Sequence, residues 1–138
     1  MRVLITGAGG FAGGHLIDHL LAQPDLALYG SVFRPPDTFP RLRDKPVTLR
    51  QVDLRDADAV HALVADVQPD IVIHLAALAS VPDAFKHPWP TLENNIAAQV
   101  HLLEAIRAVN LTPRILIVSS AEIYGAAGGT TAPLDEST

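Results

Sequence analysis

The chain has 138 residues, 49% of them hydrophobic and 18% charged, with a formal net charge of −5 and no cysteine. That is enough apolar chain for one packed domain, too acidic a balance for a nucleic-acid partner, and no thiol for a disulfide, a thiolate metal site or a cysteine nucleophile. No apolar run has the form of a signal peptide or approaches the roughly 20 residues of a membrane span, so the expectation is a soluble, cytoplasmic protein with no membrane partner.

In chain order, Val3-Leu4-Ile5 reads as a buried strand, and Phe11 to Gln23 as a helix with Leu16, Ile17, Leu20 and Leu21 on one face. Pro24 and Asp25 punctuate before a second strand, Leu26 to Phe33. Arg34 to Pro46 carries prolines at 35, 36, 40 and 46 and reads as an exposed loop. Val47 to Val52 is a third strand, and Asp56 to Val67 a helix whose early acids suit its positive end. Ile71 to Leu75 is a fourth strand, Thr91 to Val109 a long helix with Ile96, Val100, Leu103 and Ile106 along one stripe, and Arg114 to Val118 a fifth strand. Such alternation specifies an α/β fold: a doubly wound parallel sheet with helices on both faces and right-handed crossovers. After Val118 the chain is rich in Gly, Ala and Thr and reaches Thr138 without another element. The expectation is therefore one domain over residues 1–138, incomplete and truncated after its fifth strand. The mean hydropathy of +0.25 fits a parallel sheet buried on both faces, and equally an apolar surface that further chain covers.

The first strand leads directly into Thr6-Gly7-Ala8-Gly9-Gly10-Phe11-Ala12-Gly13-Gly14 and then a helix. In that context Gly7 serves a tight turn, Gly10 lets backbone approach a pyrophosphate, and Gly13 lets helix pack on strand, with the anion at the helix N-terminus. This is the dinucleotide fingerprint of a Rossmann-type fold, whose strand order is 3-2-1-4-5. Where an NAD-preferring fold carries an acid on the ribose 2′-hydroxyl, the second strand ends Gly30-Ser31-Val32-Phe33-Arg34, with no acid before Asp37. Ser31 and Arg34 suit a 2′-phosphate, and Arg41, Arg43 and Lys45 add positive charge to the loop. NADP(H) is therefore favoured over NAD(H), although a solvated loop whose charge means nothing accounts for the same residues.

The residues from Thr6 to Gly13 resemble the TGxxGFxG signature of the extended short-chain dehydrogenase/reductases, the NAD(P)-dependent nucleotide-sugar epimerase and dehydratase family. Four later segments resemble it in order: Asp53-Leu54 its adenine-contacting Asp, Val72 to Ala77 its hHLAA segment, Asn95-Ile96 with Leu102 to Ala105 its NxxGTxxLLEA helix, and Val118 to Gly125 its SSxxVYG segment. The resemblance implies cofactor contacts from Gly7, Gly10, Phe11, Ala12, Gly13, Asp53, Leu54, Leu75, Ala76, Ala77, Asn95 and Ser119. It places Ser120 at the family's catalytic Ser/Thr, which hydrogen-bonds the sugar C4 oxygen. Tyr124 falls in the structural VYG, so the catalytic Tyr-x-x-x-Lys is expected beyond Thr138. Two departures are Ala98-Gln99 in place of Gly-Thr, and Leu78 to Val81 in place of a more polar segment.

In this family a base takes the C4 hydroxyl proton as hydride leaves for the nicotinamide, and a tyrosine does so once its pKa is tuned downward. Ser120 alone positions a hydroxyl. By strand alternation Glu122 shares its side, and a carboxylate there resembles the 4,6-dehydratases, where Glu removes the C5 proton, and the 4-keto-6-deoxy-sugar reductases close to the GDP-mannose dehydratases. A 4-epimerase is the alternative, and a non-catalytic NAD(P)-binding sensor or subunit is the alternative of another class. His15 and His19 stand at i, i+4, but no third ligand accompanies them, so no metal is expected. His74 reads as a packed neutral residue. The implied substrate is a nucleotide sugar, and the implied assembly a homodimer that packs through the long helix.

Overall fold

The computed structural model describes residues 1–120, 123–125 and 135. Five strands, β1 (Arg2–Thr6), β2 (Ala27–Val32), β3 (Val47–Gln51), β4 (Ile71–His74) and β5 (Arg114–Ile117), form one sheet in the order β3-β2-β1-β4-β5. All four pairings are parallel. The chain winds outward from β1 to β3, then crosses to β4 and winds the other way. The strand order reverses between β1 and β4, and in open parallel sheets ligands bind at that crevice, beyond the carboxyl ends of the strands.

Among the described residues the α-helices are α1 (Phe11–Leu20), α2 (Ala57–Val67), α3 (Val81–Lys86) and α4 (Pro88–Ala108); α1, α2 and α4 contribute to the cores on the sheet, and α3 packs on α4. Side chains alternate across β1, which explains why its apolar run is uninterrupted. Leu4 joins one core with Val60, Leu63 and Val64 of α2 and Leu102 and Ile106 of α4. Val3 and Ile5 join the other with Ile17 of α1 and Leu28 and Val32 of β2. Asp56 caps α2, its carboxylate accepting the backbone N–H of Asp58 and Ala59 at 3.0 and 3.1 Å. Gln68 ends that helix in the left-handed region at φ 45°.

Three expectations need correction. The long helix starts at Pro88, not Thr91, because Pro88 and Pro90 sit in its first turn, where a missing N–H costs nothing. Ahead of it, α3 occupies a segment without anticipated structure, also opened by a proline, Pro82. The stripe on α4 divides: Ile106 is 6% exposed and packs with Ala98, Leu102 and Ala105, whereas Ile96 is 60% exposed and shares an outer stripe with Trp89, Leu92, Val100 and Leu103. The two alanines set the inward face by letting α4 approach α2 closely. Smaller differences are an α1 that stops at Leu20 rather than Gln23, and two 3₁₀ turns, Pro36–Thr38 and Pro40–Leu42, within the proline-rich loop. At the sheet edge β5 exposes Ile115, Leu116 and Ile117. Among the described residues no helix is long and apolar enough to cross a membrane.

Candidate functional site

The carboxyl ends of β1, β2 and β4 open into a cleft of about 500 Å³, a volume suited to a small molecule or cofactor. Its floor is the first βα turn. Gly7 adopts φ +70°, and a Cβ there would lie 2.9 Å from the Ala76 backbone, so only glycine lets β1 turn this close to β4. Gly10 closes the turn by donating its N–H to the Gly7 carbonyl at 3.0 Å. A Cβ at Gly13 would lie 2.5 Å from the Gly7 carbonyl oxygen, which explains the helix-on-strand role expected of it. Gly10 is the N-cap of α1; no side chain caps it and no acid stands in the first turn. The positive end of the α1 dipole therefore falls at Gly10, which lines the cleft, and this suits a pyrophosphate.

His74 ties the two central strands together beneath this turn. The Ala76 N–H donates to Thr6 Oγ1 at 3.2 Å, and Thr6 Oγ1 lies 2.7 Å from His74 Nδ1. Burial holds the imidazole pKa below its ordinary value, so the ring is neutral and packed.

One wall comes from β2 and β3. Asp53 lines the cleft but is gripped by Arg55, whose Nη2 and Nε reach its carboxylate at 2.7 and 3.0 Å. The Arg55 hydrogen bond pulls the Asp53 pKa down, against a smaller opposing effect of burial. The same guanidinium lies 5.9 Å above the Phe33 ring. Opposite, Arg34 lies 5.3 Å from the centre of Phe39, and both residues line the cleft. The acid is thus paired and two arginines stand at the rim, each over an aromatic ring. Ser31 reaches the lining but is buried, which leaves Arg34 the more accessible of the two residues expected to suit a 2′-phosphate.

A second cleft of about 360 Å³ adjoins the first and shares Leu75, Ala76, Ala77 and Leu78 with it. Ser119 and Ser120, at the end of β5, line it together with His74, Asn95 and Gln99. Asn95 braces the shared wall: its Oδ1 accepts the Leu78 N–H at 2.8 Å and its Nδ2 donates to the Leu78 carbonyl at 3.1 Å.

Of the residues expected to contact cofactor, Gly7, Gly10, Arg34, Asp53, Leu54, Leu75, Ala76 and Ala77 line the first cleft, and Asn95 and Ser119 the second. Phe11, Ala12 and Gly13 stand in the first turn of α1, outside both linings; Phe11 is exposed and meets the His15 ring edge-on at 4.6 Å. His15, weighed with His19 as a metal pair, packs instead against the Arg41 guanidinium. Glu122 and most of the tail from Pro133 to Thr138 lie outside the described residues. Sequence reasoning missed Phe33, Phe39, Arg55 and Leu78. Arg55, two residues after Asp53, was the one with a visible signal.

A family model described as the NAD dependent epimerase/dehydratase family matches residues 3–138. Protein CapI of Staphylococcus aureus is 31% identical over 133 residues, covering 91% of this chain and 40% of that protein. The GDP-6-deoxy-D-mannose reductase of Pseudomonas aeruginosa is 33% identical over 136 residues, covering 98% of this chain and 39% of the reductase. A crystal structure of UDP-glucose 4-epimerase from Bifidobacterium longum, in complex with NAD+ and UDP, superposes with a TM-score of 0.78 at 27% identity, covering 91% of this chain and 38% of the epimerase. The chain thus spans about 40% of the length of these relatives.

Proposed function

The chain belongs to the NAD-dependent epimerase/dehydratase family, and on that premise we propose that it is the cofactor-binding part of a nucleotide-sugar 4,6-dehydratase or 4-keto-6-deoxy-sugar reductase. The observation that carries this reading is the pair of adjoining clefts with a common wall at Leu75 to Leu78. One has the glycine turn and an uncapped helix N-terminus, the other the Ser119-Ser120 pair at the sheet's carboxyl edge. A dinucleotide laid along the first cleft delivers its reactive end to the second.

In this reading the Gly7–Gly10 turn, at the positive end of the α1 dipole, holds the pyrophosphate. Arg34 faces the adenosine ribose and favours NADP(H), while NAD(H) also fits. A bound nicotinamide would take hydride from sugar C4 and, in a dehydratase, return it to C6 after water leaves; in a reductase it would deliver hydride to the C4 carbonyl. Ser120 orients the C4 hydroxyl so that its proton and hydride depart in line with their acceptors, and Glu122 takes the C5 proton before water is lost from C6. The P. aeruginosa relative, a deoxymannose reductase, supports the reductase form. The B. longum relative supports the second reading, a UDP-sugar 4-epimerase. A homodimer through the outer stripe of α4 would cover Trp89, Leu92 and Ile96, which are exposed here.

Activity in the full-length enzyme tests this reading. Ser120→Ala should lower kcat by about 10²-fold, the usual loss when one positioned proton-relay group goes, with the cofactor Kd unchanged. Glu122→Gln should permit oxidation at C4 and stop elimination of water. Retention of full dehydration by Glu122→Gln would reject Glu122 as the C5 base; a native enzyme that inverts C4 without losing water would reject the dehydratase and leave the epimerase.

A further inference from the structure

Two glycines near the fingerprint, Gly9 and Gly14, have no part in the Gly7, Gly10, Gly13 logic, and both meet the same distant segment. A Cβ on Gly9 would lie 2.2 Å from Phe39 Cε1, and one on Gly14 would lie 3.2 Å from Arg41 Cδ. Next to Arg41, Leu42 is buried in the core on the α1 side of the sheet. The proline-rich segment 34–46 is thus an exposed loop, as expected, but one anchored on the glycine turn and α1 through Phe39, Arg41 and Leu42.

Asp18 is the polar centre of that docking. It stands near the end of α1, where the helix dipole disfavours a carboxylate. Its Oδ2 accepts Arg41 Nη2 at 2.7 Å, and its Oδ1 accepts the Lys45 ammonium. The Arg41 guanidinium also lies 3.0 and 2.9 Å from the two ring nitrogens of His15. A single exposed ion pair contributes little, but here two cations flanking a buried leucine converge on one carboxylate. The end of the segment near the cleft carries Arg34 and Phe39, stacked on each other and lining the nucleotide wall.

We propose that segment 34–46 is a strap over the adenosine end of the cleft, and that Asp18 is the positioning residue that holds Phe39 and Arg34 in place there. The proposal rests on the cofactor reading above and extends it to a residue that touches neither cleft. Holding Phe39 on Gly9 walls the adenosine side, and holding Arg34 over Phe39 aims a cation at the ribose.

Calorimetric titration of the chain with adenosine 5′-monophosphate and with adenosine 2′,5′-bisphosphate tests this. Asp18→Arg, which sets a third cation against Arg41 and Lys45, should weaken both probes about fivefold, the upper range for such a network. Asp18→Glu should bind within about twofold of the native chain, because it keeps the charge. Gly9→Ala should weaken both probes through its clash with Phe39, and should add nothing in a Phe39→Ala background, since the two changes act on one contact. Native affinity in Asp18→Arg, or full additivity of Gly9→Ala and Phe39→Ala, overturns the proposal. Arg34→Ala in the same titrations reports the coenzyme reading separately. It should lower affinity for the bisphosphate and spare the monophosphate; equal effects on the two probes would reject the NADP(H) preference without touching the strap.

Discussion

Thr6, Gly7 and His74 show how single residues hold the site open. Gly7→Ala places a methyl within van der Waals overlap of the Ala76 backbone at a positive φ, a cost of about 2 kcal/mol or more. The melting temperature should fall by about 5 °C or more; a Gly7→Ala chain as stable as the native one would contradict the close approach of β1 to β4. Burial lowers the His74 pKa from its ordinary 6.5. Below that value the unfolded chain takes up a proton that the folded chain still refuses, so stability falls as pH drops from about 6.5 toward the folded pKa. Above it the contribution is complete. His74→Asn should flatten that part of the curve of Tm against pH, and an unchanged slope would mean that other groups set it. Asp53 behaves in the same direction at lower pH: its pKa is depressed chiefly by Arg55, so the pair is lost only as pH falls through and below the carboxylate range.

The strands are legible in the sequence because a parallel strand buried on both faces is an unbroken apolar run, as in Val3-Leu4-Ile5 and Ile71-Val72-Ile73. The glycine turn is legible because three glycines at fixed spacing between strand and helix each answer one steric demand. Helix α4 is only half legible. Its outer stripe of Trp89, Leu92, Ile96, Val100 and Leu103 is as apolar as its inner one, so periodicity cannot say which face meets α2. Small residues decide it: Ala98 and Ala105 give the close approach. Segment 34–46 is the least legible, because its docking depends on Asp18, Gly14 and Gly9, which are distant in sequence and follow no period. If the outer stripe of α4 is a dimer face, Ile96→Asp should shift the chain toward monomer in sedimentation at a fixed concentration. No shift would assign that stripe to some other covering surface.

At the scale of the whole molecule, the sheet order places the ends of β1 and β4 side by side, and the lining of the proposed dinucleotide cleft gathers there. The glycine turn with the start of α1, Arg34, and the paired Asp53 and Arg55 come from three separate stretches of chain. Only the topology brings them to one cleft, beside Ser119 and Ser120. The most direct test is calorimetric titration of the chain with NADPH and NADH, alongside the Gly10→Val variant. A Cβ at Gly10 would come within 3.2 Å of the Gly7 carbonyl oxygen but would meet no other atom within 4 Å, so the added bulk projects where the pyrophosphate is proposed to lie. The expected result is binding of both dinucleotides, tighter for NADPH, and its loss in Gly10→Val with the circular dichroism spectrum of the native chain. Binding of neither dinucleotide, or equal binding by Gly10→Val, would contradict the cofactor site.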